Sequence, residues 1–438
     1  MKRFGLLGFP LGHSLSPFIH SKLFSVSNTE ASYGLEEIPA ENLKSEMPRL
    51  MRLNGFNVTI PHKLNIIPYL DALQDKARLF GAVNTVKTDG GKSVGYNTDC
   101  EGFLRALKGA NIPLSGNVLL CGAGGVSRMI AFESVLAGCR LTVAVRASGR
   151  EKAEKIRDEI FDKLGKSIDI KEYQQLSGAY DLIINGTSVG MYPNTDECVL
   201  DKQIVQSAAA VYDVIYNPAE TLMLKYAAEA GIKHSNGLSM LVWQAAVAQE
   251  IWTGAEFSET DIERVIHLTE KELLKKMNIA LCGFMGAGKT SVGKKLSEIS
   301  GKTFVDTDEL IEKEQGISVS KIFEKYGEEH FRDLEYAVCS DLAKRDNCVI
   351  STGGGAMTFQ RNVEAIKKSA VVVFIDTPFE VIFKRIGNTS NRPLFKNKVS
   401  AQKLFCQRRE LYIRAADHIV NGDQSVKNIA VQILKLVK

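Results

Sequence analysis

Asn117-Val118-Leu119-Leu120-Cys121-Gly122-Ala123-Gly124-Gly125-Val126-Ser127-Arg128 decides the fold of the first part of the chain. The apolar run reads as a buried strand, the glycines as a tight turn and the apolar residues beyond Arg128 as a helix, so the loop stands where a dinucleotide fold seats its pyrophosphate. Gly122 and Gly124 allow close backbone approach, with Ala123, Gly125 and Val126 completing the loop; Ser127 takes the third fingerprint position in place of glycine. The next strand, Leu141–Val145, ends about 20 residues on with Arg146, and Arg150 follows. A carboxylate there would bind a free ribose hydroxyl, whereas two guanidinium groups favour the 2′-phosphate of NADP.

A second loop, Gly283-Phe284-Met285-Gly286-Ala287-Gly288-Lys289-Thr290, follows the run Asn278–Cys282 and fits G-x-x-x-x-G-K-[ST] between strand and helix. Backbone amides from Gly283 to Ser291 cradle the phosphates of ATP, Lys289 neutralises the β and γ groups, and Thr290 offers a hydroxyl to Mg²⁺. Downstream, Asp306-Thr307-Asp308 reads as a strand end whose alternation puts both carboxylates on one side, Asp306 toward Mg²⁺ and Asp308 toward an acceptor hydroxyl as base or orienting group. Arg332 shares a helix face with Glu335. Arg332 and Arg408 suit a carboxylate gripped from both sides. Gly353-Gly354-Gly355 lets backbone approach a ring, and Arg392, in a stretch of lid composition (Ile386–Lys398), would close over the ATP phosphates and stabilise charge in transfer.

At about 100 to 200 residues per domain, 438 residues argue for two to four domains. Hydrophobic residues at 45%, charged residues at 24% and only 11 Pro exclude disorder and fibrous repeats. Apolar runs at Phe4–Gly8, Gly55–Ile60, Leu141–Val145 and Asp181–Asn185, then Cys348–Ser351 and Ala370–Ile375, alternate with helical patterns, which predicts parallel α/β architecture. Asp261–Lys276 has helical spacing and a basic end, placing the main boundary near residue 275 in a helical linker. No run approaches the roughly 18 to 20 apolar residues of a membrane span, and the N-terminus reads as a strand, so the expectation is a soluble, cytoplasmic protein with no signal peptide and no membrane partner. The 8 cysteines show no CxxC pair and read as reduced thiols. A net charge of +4 from 55 basic and 51 acidic residues is too balanced for a nucleic-acid partner and leaves small anionic ligands.

Gly8-Phe9-Pro10-Leu11-Gly12-His13-Ser14-Leu15-Ser16-Pro17, Asn57-Val58-Thr59-Ile60-Pro61-His62-Lys63, Gly81-Ala82-Val83-Asn84-Thr85, Gly95-Tyr96-Asn97-Thr98-Asp99, Asn185-Gly186-Thr187-Ser188-Val189-Gly190-Met191 and Asn236-Gly237-Leu238 onward to Gln244 together resemble shikimate dehydrogenase, over residues 1–270. Ketone reduction by a nicotinamide needs a proton donor for the developing alkoxide, a role that Lys63 and Asp99 suit from loop positions. The resemblance makes them the catalytic pair, Lys63 the general acid and Asp99 its positioning partner. Ser14 and Ser16, alternating on an extended Ser-x-Ser-Pro turn, would hold a carboxylate. Thr59, Asn84, Asn97 and Gln244 would bind ring hydroxyls, Tyr216 would stand on the substrate side, and Thr187 and Gly237 would join the NADP loop. His13 reads as structural. The family commonly shows Asn-Arg-Thr at the ribose-phosphate turn where Val145-Arg146-Ala147 stands here, which predicts weaker NADP affinity.

Residues 277–438, with the second loop, the Asp-Thr-Asp segment, the triple glycine and Arg392-Pro393-Leu394, resemble shikimate kinase. The implied architecture is α/β throughout: a substrate domain over 1–100 completed by 238–270, a Rossmann-type NADP-binding domain over 101–237, a linker at 271–276, and a P-loop domain over 277–438 like a nucleoside-monophosphate kinase. The implied chemistry is NADPH-dependent reduction of 3-dehydroshikimate to shikimate, then ATP- and Mg²⁺-dependent phosphorylation of shikimate. A quinate/shikimate dehydrogenase with relaxed cofactor choice and an inactive, metabolite-sensing fusion are the alternatives.

Overall fold

The structure is a computed structural model that describes residues 1–12, 14–192, 194–386 and 398–437. His13, Arg392 and most of the lid-like stretch lie outside the described residues. The chain divides into two compact units, Met1–Glu270 and Lys271–Lys438. The division falls inside the helix Glu259–Lys276.

In the first unit, β1 (Lys2–Gly8), β2 (Ala31–Glu37), β3 (Gly55–Val58), β4 (Ala72–Leu73), β5 (Thr85–Asp89) and β6 (Lys92–Tyr96) form one sheet in the order β2-β1-β3-β5-β6-β4. Strand alternation predicts a parallel sheet, but here β5 pairs antiparallel with both β3 and β6. The cause is local. Gly90 and Gly91, both at positive φ (57° and 79°), make the two-residue turn that joins β5 to β6, a geometry whose twist suits a hairpin. The reversal brings four chain segments to one edge. Leu7 pairs with Val58, Asn57 with Thr85 and Thr85 with Tyr96, so the residues leaving β1, β3 and β6 and the one entering β5 share that edge.

The second sheet, β7 (Asn117–Cys121), β8 (Arg140–Val145), β9 (Asp169–Glu172), β10 (Leu182–Asn185), β11 (Ala210–Asp213) and β12 (Lys233–Ser235), is wholly parallel in the order β12-β11-β10-β7-β8-β9. This is the doubly wound dinucleotide-binding order. Its two faces are set by alternation along β7: Val118 and Leu120 join a core with Ile130 and Phe132, while Leu119 and Cys121 join another with Ile183 and Val211. The helix Leu238–Thr253 then packs on the helix Asp99–Gly109 so closely that a Cβ on Gly102 would lie 2.8 Å from the Gln244 backbone nitrogen.

The second unit holds β13 (Asn278–Cys282), β14 (Thr303–Asp306), β15 (Cys348–Ser351), β16 (Ala370–Asp376) and β17 (His418–Asn421), all parallel, in the order β14-β15-β13-β16-β17. The central strand β13 is buried along its length and feeds the phosphate loop. All eight cysteines are free, and five are buried. No helix among the described residues is long and apolar enough to cross a membrane.

Candidate active sites

β7 and β10 are neighbours from which the winding runs in opposite directions, so a crevice opens beyond their carboxyl ends. Gly122 ends β7 at φ +96°, its N–H donating to the Ala144 carbonyl at 2.8 Å, and a Cβ there would press on the Thr187 methyl at 2.7 Å. Thr187 is itself fixed, its N–H and hydroxyl both donating to Asn185 Oδ1 (3.0 and 2.7 Å). Ser127 is fully buried and donates its hydroxyl to the Gly186 carbonyl at 3.0 Å, tying helix to sheet where the usual fingerprint relies on a third glycine. Gly124 caps the helix Gly125–Leu136, which continues with Val126; open space lies beside both Gly124 and Gly125. Ala123 is half-buried in the same loop. Gly237 precedes the helix Leu238–Thr253, hard against the Val214 carbonyl beyond β11. Arg146, after β8, is exposed, and its side chain has no hydrogen bond or ion pair among the described residues. Arg150 is engaged with Glu154 at 3.1 Å and lies 4.0 Å from Glu172.

At the shared edge of the first sheet, Lys63 Nζ donates to Asp99 Oδ2 at 2.5 Å. Lys63 lies in the single-turn helix His62–Asn65 and Asp99 opens the helix Asp99–Gly109; the two side chains are 31% and 17% exposed, so the pair meets solvent on its lysine side. Asn84, buried at the entry to β5, donates to Asp99 Oδ1 at 2.8 Å. Thr59 follows β3, its N–H bonded to the Leu7 carbonyl. Asn97 is buried, its Oδ1 lacking a partner among the described residues while its amide donates to the Ala82 carbonyl. Ser14 Oγ accepts from the Ser16 N–H at 3.2 Å. Gln244 donates to the Leu241 carbonyl at 2.9 Å, and Tyr216 is half-buried, burial raising its phenol pKa.

In the second unit a cavity of about 510 Å³ is lined by the loop Met285–Ser291, Asp306, Asp308 and Gly354. Lys289, opening the helix Lys289–Ser300, is buried and donates to the Gly283 and Phe284 carbonyls at 2.8 and 3.2 Å, so the ammonium is held in the loop. Thr290 donates to Asp306 Oδ2 at 3.1 Å. Asp308 Oδ1 is buried with no hydrogen-bond partner among the described residues, and burial, then the neighbouring Asp306 charge, raise its pKa. Asp308 packs where a side chain on Gly353 would stand. Arg332, 12% exposed, bonds Glu335 at 2.6 Å and Glu328 at 2.8 Å and stands beside Gly355; Arg408 donates to the Gly354 carbonyl at 3.1 Å. Neither arginine lines the cavity, but both meet the glycine turn that does.

Profiles of known families match at three places: the shikimate dehydrogenase substrate-binding domain at residues 6–86, the shikimate 5′-dehydrogenase C-terminal domain at 237–266 and shikimate kinase at 285–438. Shikimate dehydrogenase (NADP(+)) of Methanococcus maripaludis is 42% identical over 260 residues, 58% of this chain and 92% of the relative. The chain belongs to the shikimate dehydrogenase family. Its second unit carries a shikimate kinase domain. Two solved shikimate 5-dehydrogenases are similar in structure: one from Thermus thermophilus with NADP(H) and shikimate (33% identical, TM-score 0.56, 61% of this chain and 100% of that one), and one from Listeria monocytogenes with shikimate and NAD (33%, TM-score 0.57, 61% and 96%).

Three local readings of the dehydrogenase and kinase motifs are corrected. Ser14 to Ser16 is not extended: Leu15 is helical at φ −85°, ψ −10°, and Ser16 begins the helix Ser16–Val26, because Pro17 is preorganised for a first helical turn. Strand alternation does not place Asp308 beside Asp306. β14 ends at Asp306, which caps the helix Thr307–Gln315 by accepting the Asp308 N–H, and from that cap both residues line the phosphate cavity. Lys63 and Asp99 are held by helix termini rather than by free loops. The sequence reading also overlooked Ser351, Gln424 and Arg385, which line the kinase cavity. Ser351 ends β15, and the carboxyl end of a strand in an open parallel sheet is itself a signal for ligand contact. No local pattern marks Arg385 or Gln424.

Proposed function

We propose that this chain catalyses two consecutive reactions: reduction of 3-dehydroshikimate to shikimate with NADPH, and transfer of a phosphoryl group from ATP to the 3-hydroxyl of shikimate. The Lys63–Asp99 contact at the sheet edge carries the first half, and Asp308, half-buried beside the phosphate loop with a buried Oδ1 that has no partner among the described residues, carries the second. Membership of one family and the second family's domain in the same chain support the pairing.

In the dehydrogenase site the open backbone over Gly124 and Gly125 at a helix N-terminus fits a diphosphate, and the unengaged Arg146 fits a 2′-phosphate. NADPH supplies the hydride when bound. Ser14, Ser16, Thr59, Asn84, Asn97, Tyr216 and Gln244 are the proposed substrate ligands. Lys63 donates a proton from Nζ to the oxygen that receives negative charge, while Asp99 keeps the ammonium aimed. The exposed side of Lys63 lets water reprotonate it.

In the kinase site Lys289 and the amides of residues 283–291 hold the phosphates. Thr290 and Asp306 present a hydroxyl and a carboxylate 3.1 Å apart, the hard oxygen donors that suit Mg²⁺, which when bound adds charge neutralisation at the phosphates. Asp308 accepts the acceptor hydroxyl's proton, a task for which its raised pKa suits it. Arg332 and Arg408, on either side of the glycine turn, hold the acceptor's carboxylate. Arg392 is the proposed cation of a closing segment.

Separate assays of two variants test this reading. Lys289→Ala is expected to abolish ADP formation while NADPH oxidation persists, and Lys63→Ala to do the reverse when shikimate is supplied. Loss of both activities in either folded variant would contradict two independent sites.

A further inference from the structure

A line of buried polar side chains runs from Tyr33 to the Lys63–Asp99 pair, and its donors are ordered as far as Thr98. Asn57, 5% exposed, donates from Nδ2 to the Asn84 carbonyl at 3.3 Å; a carbonyl can only accept, so the amide orientation is settled and Oδ1 must be the acceptor facing the Tyr33 hydroxyl at 2.7 Å. Nδ2 also donates to Thr85 Oγ1 at 2.9 Å, which leaves the Thr85 proton for Thr98 Oγ1 at 3.0 Å. At the far end the Thr98 N–H donates to Asn84 Oδ1 at 2.6 Å, fixing that amide too, so that Asn84 Nδ2 is turned to Asp99 Oδ1 at 2.8 Å. The Thr98 hydroxyl closes the line onto the Asn84 amide, lying 3.2 Å from its Oδ1 and accepting from its Nδ2 at 3.0 Å. Tyr33 is clamped in turn: the His20 ring stacks on it at 4.0 Å and 11°, and Gln249 donates to His20 Nδ1 at 3.1 Å and to the His20 carbonyl at 3.0 Å.

From Tyr33 to Thr98 each donor points on toward Asn84, which donates to the carboxylate, and hydrogen bonds in series polarise one another in a low-dielectric interior. We infer that Tyr33, Asn57, Thr85 and Thr98 are positioning residues of the dehydrogenase, a hydrogen-bond line that fixes Asn84 and through it keeps Asp99 aimed at Lys63. The inference rests on the proposed roles of Lys63 and Asp99. None of the four is assigned contact with substrate or cofactor; they act through Asn84.

The test uses the full chain with Thr85→Val, which keeps shape and loses the hydroxyl, Tyr33→Phe, which loses the outer donor, Thr85→Ser as the conservative rescue, and the double variant Thr85→Val with Asn57→Leu. Thr85→Val should lower kcat about tenfold with the NADPH dissociation constant unchanged. Looser support of the Lys63–Asp99 contact should also move the acid limb of the kcat profile to higher pH. Thr85→Ser should restore the profile, Tyr33→Phe should show a smaller shift of the same sign, and the double variant should lose no more than Thr85→Val alone, since both break one line. An unshifted acid limb in Thr85→Val, or additive losses in the double variant, would overturn the inference and leave only a packing role. Full turnover in Lys63→Ala would instead overturn the underlying assignment.

Discussion

Replacing Arg146 with alanine probes how the dehydrogenase recognises its cofactor, and the structure sets the expected size. Arg146 directly follows β8, lies at the surface and has no competing side-chain partner among the described residues, so its guanidinium is available to a ribose phosphate. A hydrogen bond to a charged group is worth about 1.5 to 3 kcal/mol. At about 1.4 kcal/mol per tenfold, Arg146→Ala should raise the NADPH Michaelis constant by about ten- to a hundredfold and leave NADH nearly unaffected. Arg150 differs, because Glu154 already holds it at 3.1 Å with Glu172 at 4.0 Å. Redirecting it to a phosphate forfeits an exposed ion pair worth about 0 to 1 kcal/mol, so the effect of Arg150→Ala should be smaller than that of Arg146→Ala by a factor of up to about five. Steady-state kinetics with both cofactors reads this directly. A persisting strong preference for NADPH in the double variant would place the phosphate site elsewhere and refute the argument.

Other perturbations have equally definite outcomes. Asp213 is fully buried and its pKa is pushed up to about 6, chiefly by burial; the native state therefore keeps a proton that the unfolded chain loses from about pH 4 upward, and stability falls as pH rises to about 6. Asp213→Asn can keep the bonds to Asn185, Ile215 and Thr221, so it should raise the melting temperature of the first unit at pH 8 and change it little at pH 5, as calorimetry would show. Lys302 is buried and donates to the carbonyls of Leu274, Lys275 and Met277 at 3.1, 2.8 and 2.7 Å, closing the end of the helix Glu259–Lys276. Lys302→Met should destabilise the kinase unit by about 3 kcal/mol in denaturant titration. Arg332→Ala should weaken shikimate binding by about one to two orders of magnitude with ATP binding little changed, measured by calorimetric titration.

The strands that carry nucleotides were legible because buried parallel strands are continuous apolar runs followed by glycine loops, as at Asn117–Cys121 and Asn278–Cys282. Side-chain direction was less legible. Ser14 to Ser16 and Asp306 to Asp308 look extended by composition, yet Pro17 and the Asp306 cap start helices there. The Gly90-Gly91 turn was a readable hairpin signal passed over in favour of alternation. Asn57, Thr85 and Thr98 stand inside recognisable motifs, but their linkage depends on strand pairing between β3, β5 and β6, which spacing along the chain does not encode. Ser127 shows the converse: its departure from the glycine fingerprint acquires a reason only when Gly186 is seen beside it.

The central claim is that one chain performs both steps in order. The most direct measurement supplies 3-dehydroshikimate, NADPH, ATP and Mg²⁺ to the purified protein and follows NADPH loss and ADP release together. The account predicts a lag in ADP release while shikimate forms, then one ADP for each NADPH consumed, with neither signal when 3-dehydroshikimate is omitted. NADPH loss without ADP release, or ADP release independent of added 3-dehydroshikimate, would contradict it.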